Sequence, residues 1–297
     1  MLGLEGLPAL WLALLGVVWA LYFGLGGADL GVSMLLRRMP DRAAVLRSNG
    51  ATWATNDVWL VIAIAATFGA FPGWYAAWMS GLYGVLVVII LALIVRHAGV
   101  ELIGHLEARA AALWSRAIVG AAWVNAVGWG IVWAWLLQGG DVLSVANVLG
   151  GVAVALVFRV AGAAYLERRL EDGSAAADVR RRTAPLAVAL AVVAGVALGS
   201  PWTGLVVLAL VPRFALWGAG LAAAVVPLIV LATVSPNVAG VDLRVEAAGD
   251  YTLTLMTVIA GIVLPLVLLA HLLAYSRFKR EPGGLVQLTR RAMEQLR

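Results

Sequence analysis

The chain has 297 residues, 63% of them hydrophobic and 12% charged, with a formal net charge of +5 and a mean hydropathy of +0.97. Soluble domains carry about 25% charged residues, so the composition excludes a soluble enzyme and describes an all-α polytopic membrane protein. The absence of cysteine excludes disulfides, iron–sulfur clusters and thiolate metal sites, and three histidines (His97, His105, His271) leave few ligands for a metal or haem centre.

A membrane helix needs about 20 apolar residues. Eight stretches qualify in chain order: 9–36, 52–71, 73–96, 114–137, 144–167, 185–210, 214–234 and 252–276. The first lacks a basic leader and is expected to persist as a membrane helix. Residues 58–95 carry no ionisable Asp, Glu, Lys, Arg or His, and Pro72-Gly73 divides them into two helices. Gly139-Gly140-Asp141 closes the fourth helix, and Glu171-Asp172-Gly173-Ser174 forms a polar loop. Pro201 and Pro265 are expected to kink the sixth and eighth helices, although Gly199-Ser200-Pro201 would also suit a re-entrant turn. The connections are short, so one transmembrane domain spans 1–297.

Nearly all the positive charge is arginine, with Lys279 the sole lysine. In a membrane protein such charge sets topology and attracts anionic lipid rather than nucleic acid. Arg37, Arg38, Arg42 and Arg47, then Arg96, Arg109 and Arg116, then Arg168, Arg169, Arg180, Arg181 and Arg182 fall in alternate loops. This pattern places the N-terminus outside and the Asp29 and Asp57 ends in the cytoplasm. The basic tail, 277–297, would lie outside by the same count, against the rule. Within it, Leu285, Leu288, Ala292 and Leu296 are spaced for a short interfacial helix.

Ionisable groups at membrane depth are the first candidates for function. Asp29 ends the first apolar stretch, and Asn56-Asp57 opens the second. On an antiparallel hairpin these three share one depth and could pass a proton inward. Gly27 and Gly31 leave a smooth helix face for a close partner. The plainer reading makes both acids solvated helix caps, or partners of Arg37 or Arg47. His97 and Glu101 are four apart and could share a proton; an exposed helix end is the simpler account. Arg159 lies about eight residues inside the fifth helix, where it faces a partner, cavity or cofactor, or snorkels to the headgroups. His271 stands alone in the eighth helix, and a hydrogen-bonded histidine is the better reading there than an axial haem ligand. The 13 tryptophans include Trp53, Trp59, Trp74, Trp78, Trp114, Trp123, Trp129, Trp133 and Trp135. They suit interfacial belts, and a quinone or lipid site would use similar rings.

Gly27-Ala28-Asp29-Leu30-Gly31-Val32-Ser33, the block Trp53 to Leu60, Phe68-Gly69-Ala70-Phe71-Pro72, Ser80-Gly81-Leu82-Tyr83 and Arg96 with Gly99-Val100-Glu101 occur in a recognisable order. With Thr252-Leu253-Thr254-Leu255-Met256-Thr257 and Leu264-Pro265, they resemble subunit II of cytochrome bd-type quinol oxidases. The family's patterns are Gly-Phe-Asp-Leu-Gly-Val-Gly and Trp-Asp-Gly-Asn-Glu/Gln-Val-Trp-Leu. Two family acids linked with a cytoplasmic proton path are replaced here by Gly26 and Ala54, while Asp29 and Asp57 remain.

The resemblance implies eight transmembrane helices in two four-helix bundles, packed against a haem-bearing subunit I. That complex, in a bacterial or archaeal cytoplasmic membrane, oxidises quinol and reduces dioxygen to water. Haems b and d would belong to subunit I, and this chain would be its haem-free scaffold, with small single-helix subunits, lipid or quinone as further partners. Asp29, Asn56, Asp57 and Glu101 would be the proton-path candidates, and Arg159, Trp53 and Trp59 the buried-charge or cofactor contacts. A proton-coupled transporter and a purely structural membrane subunit are the rival readings.

Overall fold

The computed structural model describes residues 4–49, 53–213, 218–233, 237–238, 241–243 and 245–280. The expected interfacial helix within 277–297 lies outside the described residues beyond Arg280. The chain divides into two compact units, residues 1–255 and 256–297.

The first apolar stretch is one rod with a fault in it. Helix α1 (Gly6–Leu21) passes through a π-helical turn, Tyr22–Gly26, into α2 (Gly27–Leu35). A π turn takes up one extra residue, so the faces of α2 are rotated relative to those of α1; such turns recur at functional sites. Beyond a turn, α3 (Arg42–Asn49) is a short polar helix, with Asp41 Oδ1 accepting from the Ala44 amide at 2.8 Å. Beneath it, Val32, Leu35, Leu36, Met39, Val45, Ile118 and Leu166 form a buried apolar cluster.

Helix α4 (Trp53–Ala70) ends at Phe71, whose non-helical backbone (φ −139°, ψ 69°) turns the chain by 120° into α5 (Pro72–Gly81). Pro72 opens α5, where its missing N–H costs nothing. The single helix expected over 73–96 is therefore two. Leu82 leaves helical geometry (φ −107°, ψ 12°), and α6 (Tyr83–Leu102) starts afresh. A 3₁₀ turn, Ile103–His105, leads to α7 (Ala108–Gln138), six residues longer at its start than expected. Gly139 and Gly140, with φ of 69° and 74°, turn the chain into α8 (Val145–Arg169), which Ser144 caps. Only glycine adopts such angles without strain.

The helix expected over 185–210 is also two. α9 (Ser174–Ala197) stops at Leu198, Gly199 turns at φ 67°, and Pro201 starts α10 (Pro201–Arg213). Pro201 thus begins a helix instead of kinking one. α9 also starts eleven residues early, so Arg180, Arg181 and Arg182 sit on helix rather than in a loop. Arg180 reaches back to Glu167 on α8 at 2.7 Å. α11 (Gly218–Thr233) precedes a small antiparallel hairpin, β1 (Asn237–Val238) and β2 (Val241–Asp242), and α12 (Asp250–Arg280) follows, with Pro265 inside it.

Five helices among the described residues are long and apolar enough to cross a membrane, or six if the bent α4–α5 pair counts as one span. The rod of α1 and α2 packs on α4, α7, α8 and α11. Its tightest approach is to α8. A Cβ on Gly31 would overlap the Phe158 carbonyl, and one on Gly162 would overlap Gly31 itself. Membrane helices lack the hydrophobic drive of water, and such small-residue contacts substitute dispersion for it. The smooth face expected at Gly27 and Gly31 is there, and α8 fills it.

Aromatic rings fill the space beside this contact. Trp19 of α1 lies 5.5 Å from Trp78 of α5, and 5.3 and 5.4 Å from Trp129 and Trp133 of α7, all edge-to-face. Trp74 stacks on Trp78 at 5.7 Å, and Phe23 meets Phe158 at 5.4 Å. Trp19, Trp74, Trp78 and Trp133 are at most 1% exposed. They form a core and not a belt.

Candidate functional site

The polar residues of the first hairpin meet at one end of α2, α4 and α6. Asp29 and Ser33 are one turn apart on α2, so they share a face. Asn56 and Asp57 lie in the first turn of α4, and Arg96 and His97 in the last two turns of α6. Chain direction alternates between these three helices, which brings the end of the first, the start of the second and the end of the third together.

Asp29, Ser33, Asn56 and Arg96 are buried, at 5%, 4%, 0% and 2% exposure. The Asn56 side-chain amide donates to Asp29 Oδ2 in a short hydrogen bond. Arg96 Nε donates to Ser33 Oγ at 3.0 Å. Arg96 Nη2 is buried and has no hydrogen-bond partner among the described residues. A buried guanidinium with a spare donor, one helix turn along α2 from a buried carboxylate's residue, is costly in an apolar interior, and buried ionisable groups of a membrane protein mark function by default. Toward the rim, His97 Nε2 lies 2.8 Å from Asp57 Oδ2, with the two side chains 26% and 23% exposed.

The expected residues divide accordingly. Asn56 reaches Asp29, and Asp57, next to Asn56 on α4, faces His97. Arg47 faces Asp41 at 3.8 Å. His97 pairs with Asp57, while Glu101, one turn further along α6, is exposed. Trp59 is 1% exposed on α4; the Trp53 side chain lies outside the described residues. Arg159 is apart from this cluster. Its guanidinium lies 5.8 Å over the Trp123 ring of α7, with a long contact of 3.5 Å from Nε to Thr183 Oγ1 on α9. Trp123 also lines a mainly apolar groove of about 660 Å³ with Leu82, Val85, Val127, Ile131 and Leu143. His271 lies on the part of α12 within the second unit. Among the described residues no group of three His, Asp or Glu is placed to hold a metal ion.

Two further participants, Ser33 and Arg96, lie within the motif blocks without standing out there as site residues. Ser33 was visible as the residue four beyond Asp29, on the same helix face. Arg96 ends an apolar run, where a solvated cap is the ordinary expectation; only the packing of α6 on its neighbours shows it buried.

Long apolar helices with a buried polar cluster at one end define a polytopic membrane protein carrying ionisable groups inside its helix bundle. A family model described as cytochrome bd terminal oxidase subunit II matches residues 7–278. The chain belongs to that family, and is thus a subunit of a respiratory oxidoreductase. It is 27% identical over 333 aligned positions to "Cytochrome bd ubiquinol oxidase subunit 2" of Bacillus subtilis (strain 168), covering 93% of this chain and 97% of that one. It is 29% identical to "Cytochrome bd-I ubiquinol oxidase subunit 2" of Escherichia coli (strain K12) over 57% of this chain and 50% of the relative. A third relative, "Probable cytochrome oxidase subunit 2" of Haemophilus influenzae, is 30% identical over 47% of this chain and 38% of its own length.

Proposed function

We propose that this chain is the haem-free second subunit of a bd-type terminal oxidase, which oxidises quinol and reduces dioxygen to water. In this reading haems b and d belong to subunit I, and this chain scaffolds them. It does so with eight membrane crossings in two bundles, N-terminus outside, in a bacterial cytoplasmic membrane. The bent α4–α5 pair, α9 with α10, and α11 bring the five long apolar helices to eight. In this reading His271 is not a haem ligand.

The observation that carries the functional part is the buried Asp29–Asn56 hydrogen bond behind the partly exposed Asp57. Gly26 and Ala54 remove two acids that the family pattern has in this region. Asp29, Asn56 and Asp57 supply a polar route in their place, from the cytoplasmic rim toward the interior, with Glu101 exposed at its entrance. A protonated carboxyl at position 29 both donates and accepts, so it can pass a proton on, whereas its ionised form only accepts. The apolar groove beside Trp123 and Arg159 suits a lipid or quinone tail.

The test is D29N in the purified oxidase complex. Asparagine keeps the size and a hydrogen bond but cannot carry the proton. Normal haem content with quinol-dependent oxygen consumption reduced about tenfold or more, toward the range typical of a positioned proton-transfer group, supports the route. Unchanged turnover reduces the chain to a scaffold. A purified chain that moves protons without any haem-bearing partner would favour a transporter.

A further inference from the structure

One nitrogen atom has two incompatible neighbours. His97 Nε2 lies 2.8 Å from Asp57 Oδ2 and 2.9 Å from Arg96 Nη1. A guanidinium only donates hydrogen bonds, and an ionised carboxylate only accepts them. Protonated, Nε2 donates to Asp57. Bare, it accepts from Arg96. It cannot satisfy both at once.

The two neighbours are held differently. Arg96 is buried on α6, and its Nε is tied to Ser33 of α2, one turn from Asp29. Asp57 stands on α4 next to Asn56, which holds Asp29. The His97 side chain keeps about a quarter of its surface open (26%), whereas Asn56 behind it is sealed. The ring therefore sits between water and the closed polar cluster. The charged groups around it are Asp57 from α4 and Arg96 from its own helix, with Asp29 beyond Arg96 on α2.

We propose that His97 is the proton-transferring residue that loads this cluster, with Arg96 and Asp57 as the hydrogen-bond partners of its two states. The inference rests on the Asp29–Asn56–Asp57 route proposed above. In the resting state the neutral ring carries its proton on Nδ1, and Nε2 accepts from Arg96. A proton from water adds to Nε2; the bond from Arg96 is lost and an N–H to Asp57 is gained. That proton then moves to Asp57 Oδ2, giving a carboxylic acid and a neutral ring, and Nε2 returns to Arg96. The ring ends as it began, one proton has passed from water to Asp57, and Arg96 keeps its charge throughout. Glu101, four residues along α6, is not required for the step.

H97Q in the oxidase complex tests this. A glutamine amide can accept from Arg96 and donate to Asp57 together, so it preserves the cluster, but it carries no proton. The expected result is normal assembly and haem content with oxygen consumption down about tenfold or more. A deuterium-oxide effect on turnover larger than in the unaltered complex should accompany it, which a merely structural role would not produce. Should H97Q not assemble, H97N serves: it is a smaller amide that carries no proton and should show the same loss. H97Q or H97N complexes working at the unaltered rate, while D29N is slow, would overturn the role of His97 and leave the inner route standing. If D29N is also unimpaired, the route falls with it.

Discussion

The rod of α1 and α2 takes part in two regions built on opposite terms. Around Trp19 its neighbours are aromatic rings that fit edge to face. Around Asp29 and Ser33, about three turns on, they are an amide and a guanidinium. The aromatic region is redundant: Trp19 touches Trp78, Trp129 and Trp133, and each such contact adds only about 0.5–1.5 kcal/mol beyond burial. The polar region is exacting, because a buried donor or acceptor that loses its partner keeps its full desolvation cost. One region holds the helices together, and the other confines what the helix ends can do. The π turn at Tyr22–Gly26 separates them and turns the second half of the rod onto a different set of neighbours.

W19A should separate the two regions most sharply. Removing the central ring leaves a cavity that α1, α5 and α7 cannot close, costing about 3–5 kcal/mol on the scale of buried tryptophans. The thermal midpoint of the purified complex should fall markedly. Turnover per assembled complex should hardly change, and a lost turnover at full stability would show that the aromatic core has a functional part. N56L is the converse probe at smaller cost. It leaves Asp29 without the amide that donates to it, a penalty of about 1–3 kcal/mol, and should impair turnover more than stability. Equal effects of N56L and W19A on both readouts would erase the distinction drawn between the regions.

The smallest effect is expected at Asp172, in the loop before α9. Hydrogen bonds from the Ser174 side chain and amide hold its carboxyl below the ordinary aspartate range. A group held low in the folded state stabilises it above the unfolded value of about 3.9, and that contribution is lost as pH falls through the folded value. Amide exchange at the start of α9 should therefore quicken only in acid, and D172N should remove the acid dependence without altering turnover. An acid dependence that survives D172N would point to another group.

The membrane class, the first hairpin and its acids were legible because apolar runs and their interruptions are local properties of the chain. The same is true of Gly27 and Gly31, whose spacing exposes one helix face whatever packs there. The breaks at Leu82 and Leu198–Ser200 were harder. Leu82 belongs to an uninterrupted apolar run, and hydropathy carries no information on backbone direction. The tryptophans misled for a related reason: a ring suited to an interface is equally suited to a core, and composition does not tell Trp78 from a belt residue.

By itself, the order of residues determined that the chain enters a membrane, where it must place Asp29 and Asp57, and which family motifs it carries, since these follow from hydropathy, spacing and side-chain chemistry along one strand of sequence. Tertiary structure alone decided that α8 occupies the glycine face, that Trp19 is central, and that His97 turns to Asp57 and Arg96 instead of Glu101. Apart from the neighbouring Arg96 and His97, those choices join residues tens to more than a hundred positions apart. Each depends on how a helix is rotated about its axis, and a single π turn or a broken helix changes that rotation without altering the pattern from which it would have been read.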